Sequence, residues 1–105
     1  MDGRISVAYL QSYIKSKDQN PELAKDYFLK LAEETGEVAQ AMRKDLRPCQ
    51  PEDVRGTIHA ELGDVICYAL AVASCYGIDM ESVIPQKAAA SSARYPEPVP
   101  FELDR

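Results

Sequence analysis

The fold class expected from the sequence is all-α: one domain of four to five helices over residues 1–95, then an extended proline-rich tail at 96–105. Three observations predict it. Apolar residues recur at three- and four-residue spacing, the period of a helix with one buried face. Nothing alternates for long enough to make a strand, because the β-branched residues come singly or in pairs. Helix-starting signals stand ahead of the periodic runs, at Ser6, Asn20-Pro21-Glu22, Pro51-Glu52-Asp53 and Asp79.

Taken in order, Val7, Leu10 and Ile14, with Tyr13 beside them, give a first helix capped by Ser6. Residues 15–20 are a polar connection. Asn20-Pro21-Glu22 opens a second helix that runs to about Lys44, with Leu23, Tyr27, Leu31, Val38 and Met42 as its stripe and Glu34 in the gap. Arg43 and Lys44 fall in its last turn, where cations suit the helix dipole. Residues 45–50, with Pro48, form a short turn. The third helix is expected from Pro51-Glu52-Asp53, with Ile58, Leu62, Val65, Ala69 and Val72 as its stripe and Glu61 within it. Gly56 and Gly63 then lie inside it at ~1 kcal/mol each, and Gly77 ends it. Asp79 caps a fourth helix that either kinks or truly begins at Pro85 and fades near Arg94. The tail, with Pro96, Pro98 and Pro100, reads as a strap over a neighbouring subunit.

The 105 residues are 46% apolar and 28% charged, the proportions of an ordinary globular domain. A net charge of −5 argues against binding a nucleic acid polymer or an anionic membrane surface. Cys49, Cys67 and Cys75 are odd in number and form no CxxC, so neither a disulfide framework nor a zinc knuckle is expected. The N-terminus lacks the apolar core of a signal peptide, and the apolar run at 65–73 is too short to span a bilayer. Together these features read as a cytoplasmic protein.

Two acidic clusters interrupt the apolar stripes. LAEETGEVAQ carries Glu33, Glu34 and Glu37; AELGDVI carries Glu61 and Asp64. Helix residues three apart face the same way, so Glu34 pairs with Glu37 and Glu61 with Asp64. At ~1.5 Å per residue, Glu37 stands about 10 Å before the end of helix two and Glu61 about 15 Å after the start of helix three. A short connection makes these helices antiparallel neighbours and brings the two pairs level. Two like charges at ~4 Å repel by about 4 kcal/mol at an effective dielectric near 20. Such a site must bind protons, recruit lysine and arginine, or hold a divalent cation. A lone pair of this kind is ordinarily a solvated face. Two pairs inside apolar stripes point to an all-oxygen cation site, suited to Mg²⁺ or Mn²⁺ and not to zinc or copper.

EETGE at 33–37 followed by ELGD at 61–64 resembles the EExxE…ExxD signature of the MazG-like, all-α nucleoside triphosphate pyrophosphohydrolases. The resemblance extends over residues 23–96. Lys87 and Arg94-Tyr95-Pro96 are similar to the C-terminal motif of the dCTP-pyrophosphatase branch. The resemblance implies a MazG-like bundle assembled as a homodimer or homotetramer. It implies Mg²⁺-dependent cleavage, Mn²⁺ being the second choice, of a nucleoside triphosphate to monophosphate and pyrophosphate, in nucleotide-pool control or house-cleaning. The family's metal ligands map onto Glu34, Glu37, Glu61 and Asp64. Glu33 matches the first glutamate of the signature, with a part in a second metal or the attacking water, and Glu33 or Glu37 orients or deprotonates that water. One departure is Ser91, where the branch usually carries asparagine in contact with phosphate or sugar. A second is the absence of any tryptophan for the base pocket.

Lys87 and Arg94, on one face of helix four, are the candidate phosphate clamp, with Ser91 between them. Arg43, Lys44 and Arg47 are weaker candidates, since basic residues at a helix end already have a dipole role. Tyr13, Tyr27 and Phe28 are candidate base stackers. His59 and Glu61, two apart, point in different directions. The competing reading is a non-catalytic helical oligomer whose acidic clusters form structural salt bridges. A di-iron bundle needs ExxH, and Gly56 stands three residues before His59.

Overall fold

A computed structural model describes residues 4–17 and 20–94, the side chains of 92–94 apart. Its helices are α1 (Val7–Lys15), α2 (Ala24–Arg43), α3 (Ile58–Cys75) and α4 (Met80–Arg94), and a 3-10 turn, Pro21–Leu23, leads into α2. The architecture is all-α, with no strand among the described residues. The expected tail at 96–105 lies outside them, as do Tyr95 and Pro96 of the C-terminal motif.

Local chemistry sets most of the boundaries. Ser6 Oγ accepts the Tyr9 amide at 3.0 Å and caps α1. Asn20 Oδ1 accepts the Glu22 amide at 2.9 Å, with Pro21 in the first turn after it. α2 ends where Asp45 turns left-handed, at φ 51. There the Asp45 and Leu46 amides fold back onto Met42 and Ala41 carbonyls, both at 3.0 Å. α3 ends the same way: Gly77 (φ 67) donates to Ser74 at 3.1 Å and Ile78 to Ala73 at 3.0 Å. Asp79 caps α4 through the Glu81 amide (3.1 Å) and the Ser82 hydroxyl (2.9 Å). That cap places the helix start at Met80, so Pro85 lies within α4 and does not begin it.

One boundary differs from expectation. Pro51-Glu52-Asp53 does not open α3; the helix starts at Ile58 behind Thr57, whose Oγ1 accepts the Ala60 amide at 3.5 Å. Gly56 is consequently a loop residue, with a left-handed φ of 75 that prevents a helix from running through it. The connection from Lys44 to Thr57 is longer than a tight turn but folds back on itself. Leu46 is pinned to Ala41, and the Ile58 amide bonds to the Leu46 carbonyl at 2.9 Å. This return, and not a long α3, brings Glu61 alongside α2.

The α2–α3 hairpin is the largest packed unit; α1 lies across α3, and α4 rests mainly on α1. Ala41, Leu70, Ala71 and Ala73 are its buried apolar residues. Tyr27, Leu31 and Val38 on α2 and Ile58, Val65 and Val72 on α3 are half-buried as the stripes predict, whereas Leu23, Met42, Leu62 and Ala69 are exposed. Small side chains at the seam let the two helices approach closely. No large side chain is fully buried among the described residues. Leu62 and Ile66 on α3 are 48% and 55% exposed, and Tyr76, just past its end, is 69% exposed. With mean hydropathy 1.4 over 18 residues, α3 has the length and composition of a membrane-crossing helix. It nonetheless carries two carboxylates, and it faces α2 with them.

Candidate active site

The hairpin brings carboxylates from both acidic clusters together. One oxygen each from Glu34, Glu61 and Asp64 lies within 4.8 Å of the others. Glu34 and Glu61 sit on the half-buried seam, Asp64 at its exposed edge. Glu34 Oε2 and Glu61 Oε2 are withdrawn from solvent, yet no N–H or O–H of the described protein reaches either atom. No lysine or arginine ion pair touches the cluster among the described residues. Without a cation, the only hydrogen bonds open to these groups come from taking up protons and sharing them.

The protonation equilibria reflect this. Burial pushes the Glu34 carboxyl up to about 7, helped by its hydrogen bonds to Glu61 and Glu37 and by the charges of Glu37 and Asp64. Glu61 is raised first by its hydrogen bond to Glu37 and then by burial. Both carboxyls are therefore held toward their protonated forms. Glu37 thus stands beside the trio, its negative charge acting on both Glu34 and Glu61.

The remaining candidates are placed as follows. Glu33 is exposed and turned to Lys30, at 3.9 Å. Lys87 is exposed on α4, Ser91 half-buried on the same helix, and Arg94 ends it. α4 attaches through its first turn: Glu81 Oε1 accepts the Ala8 amide (3.2 Å), and Gln11 takes the Met80 amide (3.0 Å) while donating to the Ile78 carbonyl (2.8 Å). Tyr27 is half-buried, its hydroxyl accepting the Asn20 amide at 2.9 Å. Phe28 lies elsewhere, in an apolar groove with Leu29, Val72 and Tyr76. Arg47 is held by Asp45 at 2.8 Å.

Two cavities adjoin the carboxylates. One, of about 350 Å³, is walled by Tyr13, Tyr27 and Tyr68 and bounded by Lys17, Cys67 and Asp64. The Lys17 ammonium donates to the Tyr13 hydroxyl at 3.1 Å and lies 4.7 Å from the ring centre. Burial, then the Asp64 charge, raises the Cys67 thiol, with Lys17 opposing. The other cavity, of about 230 Å³, is lined by Glu37, Gln40, Lys44, Gly56 and Glu61. Sequence reasoning passed over Tyr68 and Cys67, though both fall on the Asp64 face at three- and four-residue spacing. Lys17, one turn after Tyr13, was available from the same rule.

A helical hairpin that converges unpaired carboxylate oxygens next to an aromatic-walled cavity defines a class: an all-α protein with an acidic cation site beside a small-molecule pocket. The chain belongs to the MazG nucleotide pyrophosphohydrolase family, whose domain matches residues 22–98. Its fold is similar to crystal structures of iMazG from Vibrio DAT 722. For the N-terminally tagged form the identity is 32% and the TM-score 0.78, over 89% of this chain and 100% of that one. For the C-terminally tagged form the identity is 32% and the TM-score 0.77, over 84% and 99%. No protein with a curated description gives a significant match. Family membership carries with it nucleotide pyrophosphohydrolase activity, a nucleotide substrate and, typically, dependence on a divalent metal.

Proposed function

We propose that this chain is a Mg²⁺-dependent hydrolase that cleaves a nucleoside triphosphate between the α and β phosphorus, giving monophosphate and pyrophosphate. The supporting observation is the pair of solvent-withdrawn, donorless oxygens on Glu34 and Glu61, set against Asp64 within 4.8 Å. An all-oxygen donor set of this kind fits a hard divalent cation. Glu34, Glu61 and Asp64 are its ligands, with Glu37 completing the set from the edge. A cation bound there supplies charge neutralisation for the triphosphate and a lowered pKa for water.

The chain's own groups do the rest. Glu37, adjoining both Glu34 and Glu61, orients the attacking water and accepts its proton. Glu33 has a part in that step, or in a second cation, once its exposed pair with Lys30 opens. The structural salt-bridge reading is disfavoured, since no basic side chain pairs with the cluster among the described residues.

Lys87, Ser91 and Arg94 act on phosphate or sugar from a second copy of the chain. α4 rests mainly on α1 and not on the hairpin, while the outer stripe of α3 is left open to a partner. On this reading the chain assembles as a homodimer or homotetramer. Tyr27 contacts the nucleotide in the same chain. The cellular role is control or cleaning of the nucleotide pool.

The test is a panel of normal and modified nucleotides incubated with Mg²⁺, with products resolved chromatographically. Monophosphate and pyrophosphate in equal amounts are expected. Release of single orthophosphate overturns the assigned scissile bond.

A further inference from the structure

α1 and α4 cap each other. At the start of α4, Asp79 takes the Glu81 amide, which leaves the Met80 amide without a partner in its own helix. Gln11, in the middle of α1, supplies one: its Oε1 accepts the Met80 amide at 3.0 Å. Its Nε2 donates to the Ile78 carbonyl at 2.8 Å and to the Ser74 hydroxyl at 3.1 Å. In return, Glu81 Oε1 accepts the Ala8 amide of α1 at 3.2 Å, next to the Tyr9 amide that Ser6 takes. A carboxylate suits that helix end on dipole grounds as well. One half-buried side chain, Gln11, thus ties α1 to the end of α3, to the connecting turn and to the start of α4.

Packing does little at this join. A cavity of about 270 Å³ opens between α1 and the turn, lined by Ala8, Gln11, Ser12, Ser74, Gly77 and Asp79 among others. The chain connects α4 to the hairpin through residues 76–79, where Gly77 is left-handed at φ 67, and α4 then rests mainly on α1. The bonds of Gln11 and Glu81 therefore set the direction in which α4 leaves the turn. Lys87 stands about two turns (~10 Å) beyond Met80, so a tilt of about 10° at the first turn displaces it by about 2 Å. Misplacement on the order of 1 Å is enough to cost rate. We infer that Gln11 is a positioning residue for the pyrophosphohydrolase reaction, acting through the start of α4 on Lys87 and touching no substrate itself, with Glu81 as the other half of the join. That role rests on the reading above, in which Lys87 contacts phosphate, and adds what holds Lys87 in place.

A double-mutant cycle on the full chain tests it, read as kcat/KM in Mg²⁺ for the best nucleotide of the panel above. Gln11→Leu keeps the bulk of the side chain and removes its bonds; it should lower kcat/KM about fivefold, against about tenfold for Lys87→Ala. Added to Lys87→Ala, it should cost no more than about twofold further, since the group it places is already gone. A merely structural role lowers the folded fraction by the same factor in either background, so losses that multiply overturn the inference. Wild-type kcat/KM in either single variant does the same. Should Gln11→Leu fail to fold, Glu81→Ala takes its place in the cycle. Glu81→Gln, whose amide oxygen can still accept the Ala8 amide, should then restore the rate, and a lack of rescue counts against the join. A wild type that forms no monophosphate and pyrophosphate removes the earlier reading and the role of Gln11 with it, whereas multiplied losses in an active enzyme leave that reading standing.

Discussion

The α2–α3 hairpin and α4 both carry residues singled out for chemistry, and the structure treats them differently. The hairpin gathers Glu34, Glu61 and Asp64 with no help from the rest of the chain. α4 starts on the Asp79 cap, yet it rests on α1 and leaves Lys87 exposed. Good local signals make a helix in both cases. They make a site only where the packing partner is the next helix in the chain. If Lys87 on α4 meets a substrate at the carboxylates, as proposed, the surface that brings it there is not one that α4 packs on within this chain.

The sharpest way to break that comparison is to remove one function from each region. Glu61→Gln should lower turnover on the order of 10³-fold, because a cation ligand contributes several kcal/mol of transition-state stabilisation. Lys87→Ala removes one phosphate contact and should cost about tenfold. Helicity by circular dichroism should be unchanged in both. Equal losses would make α4 as central as the hairpin and erase the distinction.

A mixture of the two variants asks where α4 acts. If Lys87 serves the partner's carboxylates, random pairing of Glu61→Gln with Lys87→Ala chains leaves about a quarter of the sites intact. If Lys87 serves its own chain, only the residual activity of the Lys87→Ala copies remains, about a twentieth of wild type, taking that variant at about a tenth. Steady-state rates after unfolding and refolding together separate a quarter from a twentieth. Recovery that stays at the lower value places α4 in its own chain's site.

The same contrast shows what the sequence could disclose. The helix starts at Ser6, Asn20 and Asp79, and the stop at Gly77, were legible because each is a local hydrogen-bonding fact about one residue and its near neighbours. The stop near Lys44 was legible too, from the basic last turn and the turn residues beyond it; only the left-handed φ of 51 at Asp45, a non-glycine residue, carried no signature. The start of α3 was misplaced for a related reason. Pro51-Glu52-Asp53 is a valid opening, but Gly56 went to a left-handed turn, and Thr57 then supplied the cap that the structure uses. The acidic clusters still met, because the loop folded back through Leu46. Spacing put Glu34, Glu37, Glu61 and Asp64 on facing surfaces; it could not say that Glu37 stands at the edge, that Glu33 turns to Lys30, or that Tyr68 walls the cavity next to Asp64. Those depend on how two helices are rotated against each other, which the buried alanines of the seam decide.

The smallest expected effect tests whether the hairpin stores its function as instability. Glu34 has its carboxyl raised from the usual 4.5 to about 7, chiefly by burial. Between these values the folded chain keeps a proton that the unfolded chain has shed, so stability must fall as pH rises through that window and level off above it. With chelator present and protein concentration fixed, the melting temperature should drop on the order of 5 °C from pH 5 to pH 8. Glu34→Gln should flatten the slope, because its amide does not titrate. Mg²⁺ added at pH 8 should restore the loss in the wild type, since a cation replaces the proton as the partner of the buried oxygens, and should do little at pH 5, where protons already occupy them. A melting temperature that rises across the window without cation would mean that the carboxylates find basic partners in solution, and the hairpin would then be a salt-bridged scaffold, with its chemistry elsewhere.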